Sequence, residues 1–194
     1  MGDLLDAPVR DFLDTLAGDG PAPGGGTAAA IAVAMSAGLV AMVARASKEH
    51  WSEAGGAAGQ AETLRARVAP LAQIDAEAYA EAVSALRKRE ELQERYRDQQ
   101  LRAALDRAAE VPLRIAEAGC DLACLAAELV ARGNPEVRAD AAAAAALAEG
   151  GTRAAAKLVA VNLAATEGDA RVKEAADLVV RAQEAASRAL AAAE

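Results

Sequence analysis

The stretch Gly-Pro-Ala-Pro-Gly-Gly-Gly-Thr, residues 20–27, stands directly before a long apolar run that begins at Ala28. Proline fixes φ and disfavours helix, glycine permits conformations closed to other residues, and Thr27 is a good helix N-cap. We therefore expect a stiff loop to meet the start of a helix here. Unpaired amides in a first helical turn can bind a carboxylate or phosphate. The glycines would equally serve to let the helix pack closely, and geometry alone leaves both interpretations open.

The apolar run over residues 28–47 predicts a central helix with apolar residues on all sides. Ala30, Ala34 and Gly38 form a seam of small residues, which favours close approach of another helix. A helix buried all round in so short a chain needs more partners than one protomer supplies, so we expect a homodimer. The uncharged stretch 20–44 is long enough to span a membrane. Since the other expected helices have polar faces, a buried core helix explains it better, and we expect no membrane partner.

Composition predicts an all-α fold. The chain has 194 residues, of which 54% are hydrophobic, yet it contains only one Trp, two Tyr and one Phe. Ala, Leu and Val must therefore build the core, and alanine favours helix over strand. We expect a single domain over residues 1–194, folded as an up-and-down bundle of long kinked helices. The net charge of -8 repels nucleic acid, so no nucleic-acid partner is expected.

Helical spacing of apolar residues, interrupted by glycine and proline, predicts the other helices. We expect them at residues 8–18, 60–86, 101–133, 140–146, 152–163 and 169–190. Glycines at 55–59 and at 150–151 are interpreted as breaks between helices. Pro70 and Pro112 are expected to bend the helices that contain them, and a turn is expected near residues 88–91.

Cysteine usage and the N-terminus indicate a reducing compartment. Cys120 and Cys124 lie four residues apart on one helix face, with His50 as a distant third soft ligand, so we expect no metal site. That spacing does not favour a disulfide. The acidic N-terminus lacks the basic region of a signal peptide. We therefore expect a cytoplasmic protein.

The glycine-rich stretch does not match a nucleotide-binding motif. A P-loop continues with Lys-Ser/Thr, and a dinucleotide fingerprint follows a strand, and this chain has neither feature. The single histidine, His50, has no serine or cysteine at a spacing typical of a nucleophilic triad. Phosphoryl transfer and triad hydrolysis therefore lose their support.

Carboxylates and amides in apolar surroundings are the remaining candidates. Asp75 lies beside an apolar stripe, where it would gain a raised pKa and act as an acid or base, unless it is an ordinary surface aspartate. Asp140 either complements a helix dipole or faces a ligand. Asn162 has apolar neighbours and must bond to backbone or ligand. Lys48 and His50 either line a pocket or are ordinary exposed residues at a helix end.

Several segments resemble a known family in the right order along the chain. The stretch over residues 12–30 looks like the start of the formiminotransferase-cyclodeaminase C-terminal domain family, which includes stand-alone methenyltetrahydrofolate cyclohydrolases. The Pro-x-Pro-Gly-Gly-Gly-Thr element is its most specific part. The further matching segments are Met42-Val43-Ala44, Asp75-Ala76 before Tyr79, Val111-Pro112-Leu113, Gly133-Asn134-Pro135, Asp140-Ala141 and Val161-Asn162-Leu163.

The resemblance implies an all-helical homodimer that binds a tetrahydrofolate derivative as its substrate, with no tightly bound cofactor. It implies that Asp75 is catalytic. The expected substrate-binding residues are Gly24, Gly25, Gly26, Thr27, Lys48, His50, Asn134, Asp140 and Asn162. We expect a methenyltetrahydrofolate cyclohydrolase, because no formiminotransferase domain is attached. A formiminotetrahydrofolate cyclodeaminase and a non-catalytic folate-binding or structural dimer are the alternatives.

Two departures from the family pattern touch positions expected to face the ligand. The family often carries a Gly-Lys-Lys-like segment where this chain has Ser47-Lys48-Glu49-His50-Trp51. It commonly carries an asparagine where this chain has Leu158. Both departures bear on the identity of the substrate and leave the expected fold unchanged.

Overall fold

The computed structural model describes residues 3–20, 22–87, 94–164 and 168–193, and this part of the chain contains helices and no strand. The expectation of an all-α fold is confirmed. Short 3-10 turns cover Leu4–Asp6 and Pro135–Val137. The α-helices are α1 (Val9–Leu16), α2 (Gly25–Ala46), α3 (Ala54–Val68), α4 (Leu71–Arg87), α5 (Glu94–Arg132), α6 (Arg138–Asn162) and α7 (Ala170–Ala192).

The central helix is α2, which packs against α3, α4, α5 and α6. Val33, Ala37 and Val40 on its inner face are completely buried. One protomer does not bury this helix all round, as expected, because Met35 and Met42 are exposed. Within the described residues, α2 is also the one helix long and apolar enough to cross a membrane, although 56% of its most apolar window is buried inside the protein.

The close packing of α6 explains why glycine does not break it. The expected break at Gly150-Gly151 is wrong, since α6 runs without interruption from Arg138 to Asn162. A Cβ on Gly151 would lie 2.5 Å from Cγ2 of Val33, so only glycine lets α2 and α6 approach this closely. The packing offsets the cost of glycine inside a helix, about 1 kcal/mol relative to alanine.

Other boundaries also differ from the sequence predictions. The glycines at 55–59 lie inside α3, where the helix buries its alanines instead. Pro70 does more than bend a helix, because it separates α3 from α4. Helix α5 continues through Pro112. The turn expected near residues 88–91 lies outside the described residues, whereas the expected cap at Asp169 is confirmed by its bond from the Arg171 amide.

Candidate active site

Helices α2 and α6 run antiparallel, which gives the molecule two distinct ends. Ser36 Oγ donates to the Ala144 carbonyl at 2.8 Å near the middle of the pair. Towards one end, Gly25 at the start of α2 lies beside Leu158 near the C-terminus of α6. Towards the other, Ser47 after α2 meets Asn134 ahead of α6. At 1.5 Å per residue the two ends of α2 lie about 33 Å apart.

A cavity opens at the end where α2 begins. It encloses about 300 Å³, at the lower end of the roughly 300–1,000 Å³ typical of ligand pockets. Its walls come from the first turn of α2, from α4 and α5, and from the C-terminus of α6. The lining residues are Gly24, Gly25, Gly26, Asp75, Tyr79, Ala108, Leu158, Val161 and Asn162.

A larger and shallower depression of about 730 Å³ lies at the corner between α6 and α7, lined mostly by small and apolar residues. Its acidic residue, Asp169, is already engaged by Arg171, which holds the pKa of that carboxyl at about 2. No buried carboxyl is among the residues that line this depression. The smaller cavity is therefore the better candidate for chemistry.

Asp75 supplies the carboxyl group of the cavity, and only 9% of its surface is exposed. It lies on the first turns of α4 between Ala72 and Ala76, which both face the core. The carboxyl group lies directly against the first turn of α2. A Cβ on Gly26 would overlap it, so glycine at this position is what admits the carboxyl group. The alternative of a surface aspartate is wrong.

Thr27 connects the glycine-rich loop to Asp75. Its hydroxyl lies 3.1 Å from the Ala72 carbonyl and 3.4 Å from Oδ2 of Asp75. The single hydroxyl proton can serve one of these acceptors at a time. The expected role of Thr27 as the N-cap is wrong, because the cap is Gly24 and Thr27 lies inside the first turn. Its hydroxyl is therefore available for α4.

Burial raises the pKa of the Asp75 carboxyl above its ordinary value of 3.8. Hydrogen bonds from the hydroxyl and the backbone N–H of Thr27 act in the opposite direction and are weaker than the effect of burial. Desolvation penalises the charged form of a carboxyl group, which explains the direction. A raised pKa makes the carboxylate form a stronger base than an ordinary aspartate, which suits a group that transfers protons.

Asn162 and Tyr79 complete the polar part of the lining. We expected Asn162 to form a hydrogen bond with backbone or ligand. In the structure it bonds to backbone, since its Nδ2 donates to the Ala108 carbonyl at 2.6 Å. Tyr79 is half exposed at the cavity. We did not identify Tyr79 as a site residue from sequence, although its spacing of four from Asp75 on one helix puts both on one face.

The other expected substrate-binding residues lie at the opposite end of this protomer. Lys48 and His50 are exposed in the turn after α2. Asn134 caps the turn at Pro135–Val137 and donates to the Ala46 carbonyl at 3.3 Å. Asp140 is exposed in the first turn of α6, where it complements the helix dipole. None of these four residues lines the described cavity.

The thiols lie away from the cavity. Cys120 is buried in α5 and Cys124 is partly buried one turn later. Burial, with the neighbouring Cys124, raises the pKa of the Cys120 thiol to about 11. In the part of the chain that the structure describes, no group of three or more His, Cys, Asp or Glu side chains could hold a metal ion.

A helical bundle with a buried carboxyl group in a small cavity is the arrangement of an enzyme that acts on a small molecule. The family model described as formiminotransferase-cyclodeaminase matches residues 8–181. The chain belongs to this family, which confirms the resemblance found in the sequence.

A relative and a solved structure extend this result. The chain is 35% identical to a methenyltetrahydrofolate cyclohydrolase of Methylorubrum extorquens over 189 residues, which cover 90% of this chain and 89% of the relative. The fold of this chain is similar to that in the crystal structure of formiminotetrahydrofolate cyclodeaminase from Thermotoga maritima. The TM-score is 0.84 and the identity 23%, and the match covers 97% of this chain and 96% of the other.

Proposed function

We propose that the protein hydrolyses 5,10-methenyltetrahydrofolate to 10-formyltetrahydrofolate. The observation that carries the proposal is the buried Asp75 carboxyl group in the cavity, with its raised pKa. The identity to a cyclohydrolase over most of both chains favours hydrolysis among the activities of the family. We propose that a tetrahydrofolate derivative is the substrate, that no bound cofactor is required, and that the protein works in the cytoplasm.

The proposed chemistry uses one carboxyl group in two directions. The methenyl carbon bridges N5 and N10 and carries positive charge, so a nearby carboxylate stabilises it. Water adds to this carbon while Asp75 takes a proton from the water. Asp75 then protonates N5 as the bond between N5 and the carbon breaks, and it takes the proton of the new hydroxyl group as the formyl C=O forms. One proton leaves to solvent in each turnover.

The remaining lining residues are proposed to hold the substrate. The substrate can approach the backbone closely at Gly24 and Gly25, because glycine has no side chain to cover the peptide groups. The ring of Tyr79 offers an aromatic surface at the edge of the cavity, against which an aromatic part of the substrate can stack. Leu158 makes this wall apolar where the family commonly has an asparagine.

The test mixes the purified protein with 5,10-methenyltetrahydrofolate and follows the loss of its absorbance. We expect turnover well above the rate in buffer, and a rate close to buffer for Asp75→Asn. Asp177→Asn, an exposed aspartate on α7, is the matched control and should retain activity. A wild-type rate equal to buffer would contradict the proposal, and tight folate binding in that case would indicate a non-catalytic binding protein.

Deaminating cyclisation of a formimino group is the second candidate, because the matching family includes cyclodeaminases. In that reaction the same carboxyl group would deliver a proton to departing ammonia. Release of ammonia from 5-formiminotetrahydrofolate separates the two reactions. We expect hydrolysis of the methenyl compound to exceed ammonia release, and the reverse order would reassign the activity.

We also propose that the protein is a homodimer formed through α2. The outer face of this helix carries an uninterrupted apolar stripe, of which Met35 and Met42 are the most exposed members. The full stripe is Ala28, Ile31, Ala32, Met35, Gly38, Leu39 and Met42. Helix α1 also has an apolar side but no buried residue in one protomer. A second copy would cover both surfaces.

An antiparallel arrangement of the two α2 helices fits the charges best. Residues 3–20 carry five Asp and one Arg, and this segment contacts α4 near the cavity, where the Leu4 N–H donates to Gln73. A parallel pair would bring the two acidic segments together, which is unfavourable, whereas an antiparallel pair separates them and aligns the helix dipoles favourably. Since Met35 is at the middle of α2, a two-fold axis there covers the whole stripe. The partner's turn after α2 would then face each cavity.

Sedimentation at micromolar concentration tests the dimer. We expect Met35→Glu to yield monomers, because the variant places a charge at the centre of the buried stripe. Val180→Glu on α7 is the matched control, since Val180 is 55% exposed and Met35 is 53% exposed. A monomeric wild-type protein, or equal behaviour of the two variants, would contradict the proposed interface.

A further inference from the structure

Pro112 lies in the middle of α5, where it removes one hydrogen bond from the helix. The helix continues through this residue, and its side chain is completely buried. In a regular α-helix the N–H of residue 112 would donate to the carbonyl of residue 108. Proline has no N–H, so the Ala108 carbonyl has no donor four residues along its own helix. Ala108 is buried, and an unpaired buried carbonyl is costly.

Asn162 supplies the missing donor from another helix. Its Nδ2 lies 2.6 Å from the Ala108 oxygen, across 54 residues of sequence. A backbone carbonyl only accepts hydrogen bonds, so this contact settles which end of the amide faces α5. Among the described residues, Oδ1 of Asn162 receives no hydrogen bond. Both Ala108 and Asn162 line the cavity.

We propose that Pro112 is a positioning residue, which frees the Ala108 carbonyl to anchor Asn162 so that Oδ1 is offered to the ligand. The proposal rests on the proposed function, in that the ligand is a reduced folate. An oxygen fixed in this way accepts hydrogen bonds and cannot donate them. It therefore selects a ligand group with an N–H, such as the ring N–H or amino group of a reduced pterin, over a carbonyl or carboxylate.

The anchor also determines the expected effect of restoring the missing N–H. In Pro112→Ala the amide of residue 112 can donate to Ala108, and it competes with Asn162 for the same carbonyl. The Asn162 side chain then loses its fixed orientation, but Asp75 on α4 is not altered. We therefore expect a rise in KM of about 10-fold, the value of one hydrogen bond, with kcat changed by less than about threefold.

A double-mutant cycle tests whether Pro112 acts through Asn162. We expect Pro112→Ala to raise KM in the wild-type background and to change it little in the Asn162→Leu background. Pro112→Val restores the same N–H with closely similar apolar volume, and it should behave like Pro112→Ala if the alanine variant folds poorly. Pro135→Ala, at the exposed opposite end, is the control for loss of a proline. Equal effects of Pro112→Ala in both backgrounds would overturn the proposal.

A second readout does not depend on enzyme activity. The chain contains two asparagines, Asn134 and Asn162, so an asparagine-selective 15N spectrum shows two side-chain amides. We expect the Asn162 amide of the wild type to be shifted and protected from exchange, and to lose both properties in Pro112→Ala. An unchanged Asn162 signal would overturn the anchor even if Asp75→Asn abolishes turnover. If the wild type shows no turnover but the Asn162 signal still changes in Pro112→Ala, the proposed function is contradicted and the anchor is supported.

Discussion

At the C-terminal end of α2, Ser47 is completely buried, and its hydroxyl group both donates and accepts a hydrogen bond. It donates to the Val43 carbonyl at 2.8 Å and accepts from the Asn134 amide at 2.9 Å. At the N-terminal end, Asp75 is almost as deeply buried, and among the described residues its hydrogen-bond donors come from Thr27. The pKa of Asp75 is raised. Both ends therefore bury a polar side chain beside α2.

The difference shows how a buried polar group acquires a function. Ser47 joins the turn after α2 to the turn before α6, and its hydrogen bonds leave it nothing to offer a ligand. Asp75 is buried where desolvation outweighs the hydrogen bonds from Thr27, and it faces a cavity. A group in this state is a candidate acid or base, whereas a group with satisfied hydrogen bonds stabilises the fold. Substitutions at the two ends should therefore separate activity from stability.

The largest effect is expected for Asp75→Asn. The amide has the same shape but cannot take a proton from water, so we expect kcat to fall by about 100-fold to 10,000-fold. Because the buried negative charge is removed, the free energy of unfolding at pH 7 should stay equal or rise. Turnover of the methenyl compound and urea unfolding measure the two quantities. A parallel loss of both would mean that Asp75 serves the fold, as Ser47 does.

Gly26→Ala is expected to have the next largest effect. The new Cβ would overlap the Asp75 carboxyl group, which must move, so we expect kcat to fall by about 10-fold to 100-fold because misplaced catalytic groups lose rate steeply. Gly56→Ala in α3 is the control, since its Cβ would meet nothing within 4 Å. The control should retain activity and gain slightly in stability. Similar kinetics for the two variants would show that the carboxyl group tolerates displacement.

Ser47→Ala should produce the reverse pattern at the other end. Removing the hydroxyl group leaves the partly buried backbone N–H of Asn134 without its acceptor, and we expect a loss of about 1–3 kcal/mol in the free energy of unfolding. The kcat of the folded enzyme should not change. Urea unfolding together with kinetics in the folded range provides the measurement. A variant that lost turnover without losing stability would place Ser47 in the active site.

The sequence determines the fold class and most helices because those depend on local pattern. Alanine content predicts helix, and the Asp169 cap is a local signal that the structure confirms. Gly150-Gly151 misleads because whether glycine ends a helix or lets it pack depends on a distant partner, here Val33. Pro70 misleads for a related reason, since a proline can bend a helix or separate two.

The candidate site was predicted in part. Asp75 and the glycines of α2 lie together at the cavity, as expected from the apolar surroundings of the aspartate and the resemblance. Tyr79 was missed although helical spacing connects it to Asp75. No local pattern shows which end of an antiparallel bundle a turn occupies, so the sequence could not separate Lys48 and Asn134 from the cavity.

The pH dependence of stability should differ between wild type and Asp75→Asn. Because burial raises the pKa of Asp75, the folded protein holds this proton more tightly than the unfolded chain. The contribution of this raised pKa to the free energy of unfolding is fully present below pH 3.8. It is lost as the pH rises from 3.8 through the raised pKa. The advantage of the asparagine variant in free energy of unfolding should thus grow across this window and then level off. Urea unfolding from pH 4 to pH 7 measures it, and a constant difference would contradict the raised pKa.

The smallest effect is expected for Lys48→Ala. This variant tests whether the turn after α2 in one protomer lies near the cavity of the other. In one protomer Lys48 lies about 33 Å from the cavity, but in the proposed antiparallel dimer the partner's Lys48 faces the cavity. An exposed charge is worth about 0.2–1 kcal/mol, so we expect KM to rise by up to about fivefold with kcat unchanged. Lys173→Ala on the exposed surface of α7 is the matched control. If the two lysine variants behave alike in a dimeric protein, the ends do not meet and the cavity is complete within one chain. If KM rises for Lys48→Ala and the rise disappears in the Met35→Glu background, the basic turn acts on the cavity only through the dimer.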